Sequence, residues 1–538
     1  MLFNSYAFIC AFLPVTLFGV WLLRHNSSNR PTLSWLIACS VAFYGLWNPL
    51  SLAIITPSLV INYGLGRLIQ RQLAAPQARE RAASALLAGG VVFNLCFLGY
   101  FKYKNFFLDS LNWGFGTGFE LSALLLPLGI SFITFQKIAF LVDVRASTIK
   151  KFDAFEFLIF VFFFPQLIAG PIVHFREMVP QFNDLKPGLS SQHLAVGLGI
   201  FAIGLFKKAI LADGVAPHAN AIFQAAERGD TPTLIWAWIG AMAYTLQIYF
   251  DFSGYSDMAI GLARMVGIRL PANFNSPLKA SSIIDFWARW HLTLTRFLTA
   301  YIYTPIVMNL TRARMASGKA VLGRNAKSIG AFAVLVAWPT VITMAVSGVW
   351  HGAGTTFILW GLLHGVFLCI NHAWRLWRPA WDKRQYDRIM STPGRLLTLI
   401  AVIVSMVLFR AKTLAAASAM LAAMTGGHGV ALPHAVVNRL GSVGQWLLSI
   451  GVGADFSSGA SLQSAVLWLT VLGVIALWAP NSLEIMSRFE PALHFRGNLV
   501  SRRWQADLRP GWAAAFGLVL AAGVLSLNQI SEFLYWQF

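Results

Sequence analysis

Apolar runs follow one another along the whole chain, near residues 5–23, 33–48, 50–66, 84–102, 121–142, 155–174, 193–212, 232–250, 328–349, 354–374, 396–410, 464–479 and 512–530. A helix needs about 17–25 such residues to cross the hydrocarbon core of a bilayer. Several runs are short or broken by Gly and Pro, and irregular backbone at that depth is tolerated only where protein or a cavity covers it. The pattern predicts an all-α polytopic membrane protein with about eleven to thirteen helices entering the bilayer. The opening run, "MLFNSYAFICAFLPVTLFGVWLL", has neither a basic leader nor a small-residue cleavage site, and reads as a retained span. Only "WNP", Trp47 to Pro49, separates the second run from the third, which predicts a tight external hairpin. The stretches flanking that pair, Arg24–Arg30 and Arg67–Arg81, are basic, so an outward N-terminus and two cytoplasmic basic loops fit both facts.

Two regions break the pattern. Residues 271–327 carry "SSIIDFWARWHLTLTRFLTAYIYTPI" and then a basic loop, which predicts amphipathic or re-entrant helices. Residues 425–463 are rich in Gly and Ser and read as a long loop with a short helix. No internal repeat is evident, which weighs against a transporter built from inverted repeats.

Composition changes the picture only by narrowing it. Of 538 residues, 57% are hydrophobic and 12% charged, with a mean hydropathy of +0.63. A soluble protein carries roughly 25% charged residues. The net charge of +20 falls in short clusters between apolar runs, among them Arg312–Lys327 and Arg375–Arg395. That is the distribution of a multi-pass protein held by positive-inside loops on anionic lipid, and not of a nucleic-acid-binding protein. Cys10, Cys39, Cys96 and Cys369 lie inside apolar runs without metal spacing, and read as small hydrophobes.

Polar side chains at bilayer depth narrow the chemistry further, because a charged group there costs on the order of 2.5–3.5 kcal/mol. His351 stands in "MAVSGVWHGAGTTFILW", where Gly348, Gly352 and Gly354 allow another group to approach closely. Its imidazole is either a packing residue donating one backbone hydrogen bond or a functional group. His291, beside Trp287, Arg289 and Trp290, is either the polar tip of an interfacial aromatic belt or a second functional imidazole. His364 follows His351 by 13 residues, about 220° around one helix, and reads as structural. Asp251 and Asp257, six apart, share no helix face, and no His or Cys completes a metal set with them. "FFPQLIAGPIVHF" must break a helix at Pro165–Pro171.

Six blocks in order carry a resemblance: "FKYKNFF" (101–107), "LPLGISFITFQKIAFLVDV" (126–144), "FFPQLIAGPIVHF" (163–175), "FDFSGYSDMAIG" (250–261), "FWARWHLTLTRFL" (286–298) and "SGVWHGAG" (347–354). In these the chain resembles the membrane-bound O-acyltransferase (MBOAT) family, in the bacterial branch that includes alginate O-acetyltransferase. The resemblance implies one integral membrane domain over 1–538, a ring of tilted helices around a central tunnel. It implies that His351 is the family's hallmark histidine and His291 the second histidine of the branch. It also implies a bacterial inner-membrane location and no bound cofactor. The co-substrate would be acetyl-CoA or a similar cytoplasmic acyl thioester. A separate periplasmic or membrane-anchored acetyltransferase would finish transfer to an exported polysaccharide such as alginate or cellulose. Ala288, where the branch often has arginine, and "YIYTPIVMNL" (301–310) depart from the pattern.

On that resemblance His351 is the general base, a role suited by an unperturbed pKa of about 6.5. Burial keeps it neutral. His291 holds the donor or stabilises charge on the thioester oxygen. Arg289, with Trp287 and Trp350, is a candidate for donor binding, and Arg312–Lys327 for drawing in phosphates. The tail "SEFLYWQF" ends with Tyr535 among aromatics, either a membrane anchor or a transient acyl carrier. The rival classes are a non-enzymatic transporter or flippase and a scaffold subunit of a polysaccharide secretion complex, both of which tolerate loss of His351.

Overall fold

The computed structural model describes residues 1–24, 28–75, 79–121, 124, 126–322, 328–378, 382–455, 462–495, 500–527 and 533–534. Helices dominate, and among the described residues six are long and apolar enough to cross a membrane: Pro49–Ala74, Glu80–Phe115, Ser191–Glu227, Ile329–His351, Thr355–Trp377 and Arg384–Arg410. Shorter apolar helices run over Ala7–Leu23, Leu414–Met424, Leu462–Trp478 and Pro510–Leu525. The protein is thus an all-α polytopic membrane protein. The chain divides into two compact units, one formed by Met1–Phe206, Ser253–Asn273 and Ser482–Gln537, the other by Lys207–Phe252 and Phe274–Asn481.

In the first unit the hairpin at "WNP" is as tight as its sequence predicts. One helix ends at Gly45 and the next starts at Pro49, whose fixed φ suits a first helical position. The Asn48 side chain caps it by accepting from the Leu50 N–H at 2.9 Å. The run predicted over 121–142 becomes helical only at Ile130. Gly129 precedes it with φ +69°, and a Cβ there would lie 2.8 Å from the Leu167 carbonyl oxygen, so this start requires glycine. The break at "FFPQLIAGP" is present: Ala154–Phe162 gives way to a single turn, Phe164–Leu167, and the next helix begins at Phe175.

Lipid tails are as apolar as leucine, so membrane helices associate through small residues and internal hydrogen bonds. Both devices occur here. Gly66 and Gly90 face Phe140 and Leu141, where a Cβ would sit 2.7 and 2.6 Å from their side chains. Asn62 and Asn94 exchange amide hydrogen bonds at 3.2 and 2.6 Å. Lys137 donates to Ser58 Oγ and lies over the Phe97 ring. The glycines of "FDFSGYSDMAIG" serve the same end: Gly254 and Gly261 present carbonyls 2.6 Å from where Cβ atoms of Gly204 and Gly197 would be.

In the second unit the helix Trp338–His351 packs along Thr355–Trp377. Their closest approach is glycine on glycine. A Cβ on Gly361 would meet the Gly348 Cα at 3.0 Å and press into the Met344 carbonyl oxygen. Within residues 271–327 the structure has the short helix Ile283–Trp287 and a helix that starts at Leu292 and runs through a π turn, Thr299–Tyr303, to Ala316. The region 425–463 holds more structure than a loop with one short helix. Helices His434–Arg439 and Ser442–Ser449 are enclosed by strands Ala431–Pro433 and Gly453–Asp455, which pair in parallel. Of the cysteines, Cys39 is buried whereas Cys10 and Cys96 lie on exposed faces of apolar helices.

Gly361→Ala should destabilise the detergent-solubilised protein by about 1–3 kcal/mol through overpacking. Gly473→Ala, where a Cβ meets nothing within 4 Å, should be neutral or stabilising by up to ~1 kcal/mol. Thermal unfolding of both variants tests the pair, and equal melting temperatures would contradict the close-packing role.

Candidate active site

His351 is the last residue of its helix. The next residue, Gly352, is extended, and a Cβ there would run into the Phe357 ring, so the chain leaves the helix through a gap only glycine leaves open. Thr355 then starts the following helix. His351 Nδ1 lies 2.6 Å from the Ser347 carbonyl oxygen. A carbonyl only accepts, so Nδ1 carries the proton and the imidazole lone pair is on Nε2. The ring is buried, with centroids of Trp350 and Trp360 at 4.9 Å and Phe409 at 5.3 Å.

His291 sits at the joint between Ile283–Trp287 and Leu292–Leu298, with φ +43° and ψ +52°. A non-glycine residue in that left-handed region costs roughly 1–2 kcal/mol, and such strain concentrates at functional sites. The imidazole is fully buried. Phe252 meets it edge-on at 4.8 Å, Phe274 stacks at 6.5 Å and Trp350 lies at 6.1 Å.

Trp287 and Trp350 are both buried; Trp350 meets the rings of His291 and His351, and Trp287 meets that of His364. The Trp287 indole N–H donates to His364 Nδ1 at 3.3 Å. His364 Nε2–H then donates to Ser405 Oγ at 2.9 Å, and the Ser405 hydroxyl donates onward to the Val402 carbonyl at 2.7 Å. His364 therefore belongs with the other two histidines: Trp360 touches the rings of both His351 and His364, at 4.9 and 4.8 Å. The 220° separation assumes one continuous helix, and the break at Gly352–Gly354 removes that assumption. Both ring nitrogens of His364 are occupied, which suits a positioning group.

Arg289 is engaged locally. Its Nε donates to Asp285 at 2.8 Å and its Nη1 to the Asn275 carbonyl at 3.3 Å. The predicted carrier Tyr535 lies outside the described residues. The tail before it is buried: Phe533 stacks on Tyr255 at 4.6 Å, and Tyr255 stacks on Phe3 at 4.9 Å. Among the described residues no group of three His, Cys, Asp or Glu side chains is arranged to hold a metal.

Asp251 has a partner that reading along the chain misses. Lys208 Nζ lies 2.8 Å from both Asp251 Oδ1 and Asp213 Oδ1, with the Lys208 and Asp251 side chains 3% and 2% exposed. Lys208 falls in a π turn, Lys207–Ala212, a feature common at functional sites. The next residue after Asp251 is Phe252, which backs His291. The ion pair thus anchors the wall of the histidine cluster.

Chemically, the cluster offers a neutral base with its lone pair on Nε2, a second buried imidazole nearby, and aromatic walls that exclude water. Residues 90–323, which include His291, match the model of the membrane-bound O-acyltransferase family. A peptidoglycan O-acetyltransferase of Helicobacter pylori is 38% identical over 463 residues, 81% of each chain. A probable alginate O-acetylase of Azotobacter vinelandii is 35% identical over the full length of both chains. A teichoic acid D-alanyltransferase of Streptococcus thermophilus is 31% identical over 46% of this chain and 57% of its own.

Breaking one side of a buried ion pair costs about 3–5 kcal/mol. Lys208→Met should therefore cause a large loss of thermal stability, and Lys208→Met with Asp251→Leu should recover part of it. A double variant no more stable than the single one would refute the pairing as the cause.

Proposed function

Because the chain belongs to the membrane-bound O-acyltransferase family, we propose that it carries out its membrane O-acyltransferase chemistry as an O-acetyltransferase. The donor is a cytoplasmic thioester such as acetyl-CoA, and the acetyl group is destined for sugar hydroxyls of an exported polysaccharide. The observation that carries the mechanism is the tautomer of His351. With Nδ1–H donated to Ser347, Nε2 is the atom able to take a proton.

The acceptor hydroxyl loses its proton to Nε2 as its oxygen attacks the thioester carbonyl. The C–S bond then breaks, and the thiolate recovers the proton from the imidazolium, leaving an ester and a free thiol. His291 stabilises the developing oxyanion, and His364 holds Trp287 in place. Arg289 and the basic stretch from Arg312 attract the donor phosphates, with Trp287 and Trp350 walling the donor. The names of relatives acting on alginate and on peptidoglycan support a carbohydrate hydroxyl as the final acceptor. A bacterial inner-membrane location places the donor and the polymer on opposite faces. A separate periplasmic or membrane-anchored acetyltransferase then completes delivery. Tyr535 accepts the acetyl group transiently as a phenyl ester, a role supported by the burial of Phe533 and Leu534 just before it.

Loss of a general base lowers rate by about 10²–10⁴-fold. His351→Ala, at membrane levels equal to wild type, should abolish acetyl signals in NMR spectra of exported polysaccharide while polymer yield stays unchanged. Normal acetylation would end the reading of His351 as the base. Tyr535→Phe should also lose acetylation; a wild-type level would eliminate the carrier role and leave the His351 chemistry standing.

A further inference from the structure

A crevice of about 370 Å³ opens in the first unit between the start of the helix Ser191–Glu227 and the helix Pro510–Leu525. Its walls are apolar, formed by Val196, Leu198, Met486, Phe489, Phe516 and Leu520. An apolar slot without an occupant forfeits dispersion contacts on every wall.

The mouth is cationic. Asp507 faces two guanidinium groups, Arg509 at 3.2 Å and Arg488 at 3.9 Å. Arg264 donates to the carbonyl of Phe489, a wall residue, at 3.1 Å. Glu490 is held by Arg269 at 2.5 Å. Four arginines, Arg264, Arg269, Arg488 and Arg509, and two carboxylates, Asp507 and Glu490, are thus linked to or beside the wall residues Phe489 and Asp507.

We propose that this crevice is a binding site for an anionic phospholipid, with one acyl chain between the two helices and the phosphate at Arg509 and Arg488. The slot supplies the hydrocarbon contacts and the mouth supplies charge complementarity; neither the histidine cluster nor the acyl donor takes part. The inference goes beyond the proposed acyl transfer and stands without it.

Native mass spectrometry of the delipidated full-length protein, titrated with phosphatidylglycerol or phosphatidylcholine, tests the site. Wild type should retain phosphatidylglycerol in roughly tenfold or greater preference, since each arginine near an anionic headgroup contributes roughly fivefold. Arg509→Gln changes a side chain that is 84% exposed, so it should leave the fold intact and cut phosphatidylglycerol retention about fivefold, with phosphatidylcholine unchanged. At Gly517, a wall position where a Cβ meets nothing within 4 Å, leucine fills the slot, and Gly517→Leu should lower retention of both lipids. Equal retention of the two lipids by wild type would overturn the proposal. So would an unchanged preference in Arg509→Gln, or displacement of phosphatidylglycerol by free coenzyme A, which would make the mouth a soluble phosphate site.

Discussion

The contact between Gly348 and Gly361 governs the second unit. Two helices approach until the backbone of one lies against the backbone of the other, and no side chain larger than hydrogen fits between them. Inside a membrane this closeness is the main source of cohesion, because apolar side chains gain little by leaving lipid for protein. Its consequence is positional. The approach brings His351, at the end of one helix, and His364, inside the next, into contact with the same ring, Trp360. The Phe357 ring filling the space beside Gly352 turns the chain from one helix into the other.

That packing also determines which nitrogen of each imidazole carries a proton. Ser347 is on the same helix as His351 and offers a carbonyl to Nδ1; Trp287 offers a donor to Nδ1 of His364. The two rings are therefore opposite tautomers, Nδ1–H in His351 and Nε2–H in His364. Identical side chains that share the Trp360 ring acquire different roles from the polarity of one neighbour each. One has its basic nitrogen directed away from its own helix backbone. The other is committed at both nitrogens and fixes Trp287.

Much of this was legible in the sequence where a local rule decided it. The Asn48–Pro49 cap, the helix break after Phe162 and the helical runs flanking His351 follow from turn chemistry, proline and apolar length. Legibility ended where the decisive partner was distant. The partner of Asp251 could not be read along the chain, because Lys208 is on another helix, within a π segment. His364 looked remote because a periodicity argument does not register a three-residue interruption such as Gly352–Gly354. The helix Leu414–Met424 escaped for a different reason: its eleven residues are too few to span a bilayer, although its alanines pack well.

The charged and polar groups buried in the two units show a common economy. Lys137 has a hydroxyl and an aromatic face, Lys208 has two carboxylates, and the amides of Asn62 and Asn94 have each other. Each satisfies locally a group that hydrocarbon would penalise, and each cross-links helices that apolar contact alone would leave free to slide. The Lys208 anchor differs in consequence from the other two. Because Asp251 is followed by Phe252, a shift along that helix moves the ring that backs His291, and the strained backbone at His291 is held by that ring among others. A group whose left-handed conformation costs energy persists only where its surroundings are more rigid than it is. The buried ion pair supplies that rigidity, which ties a buried charge to the geometry of the His291 imidazole through the ring of Phe252.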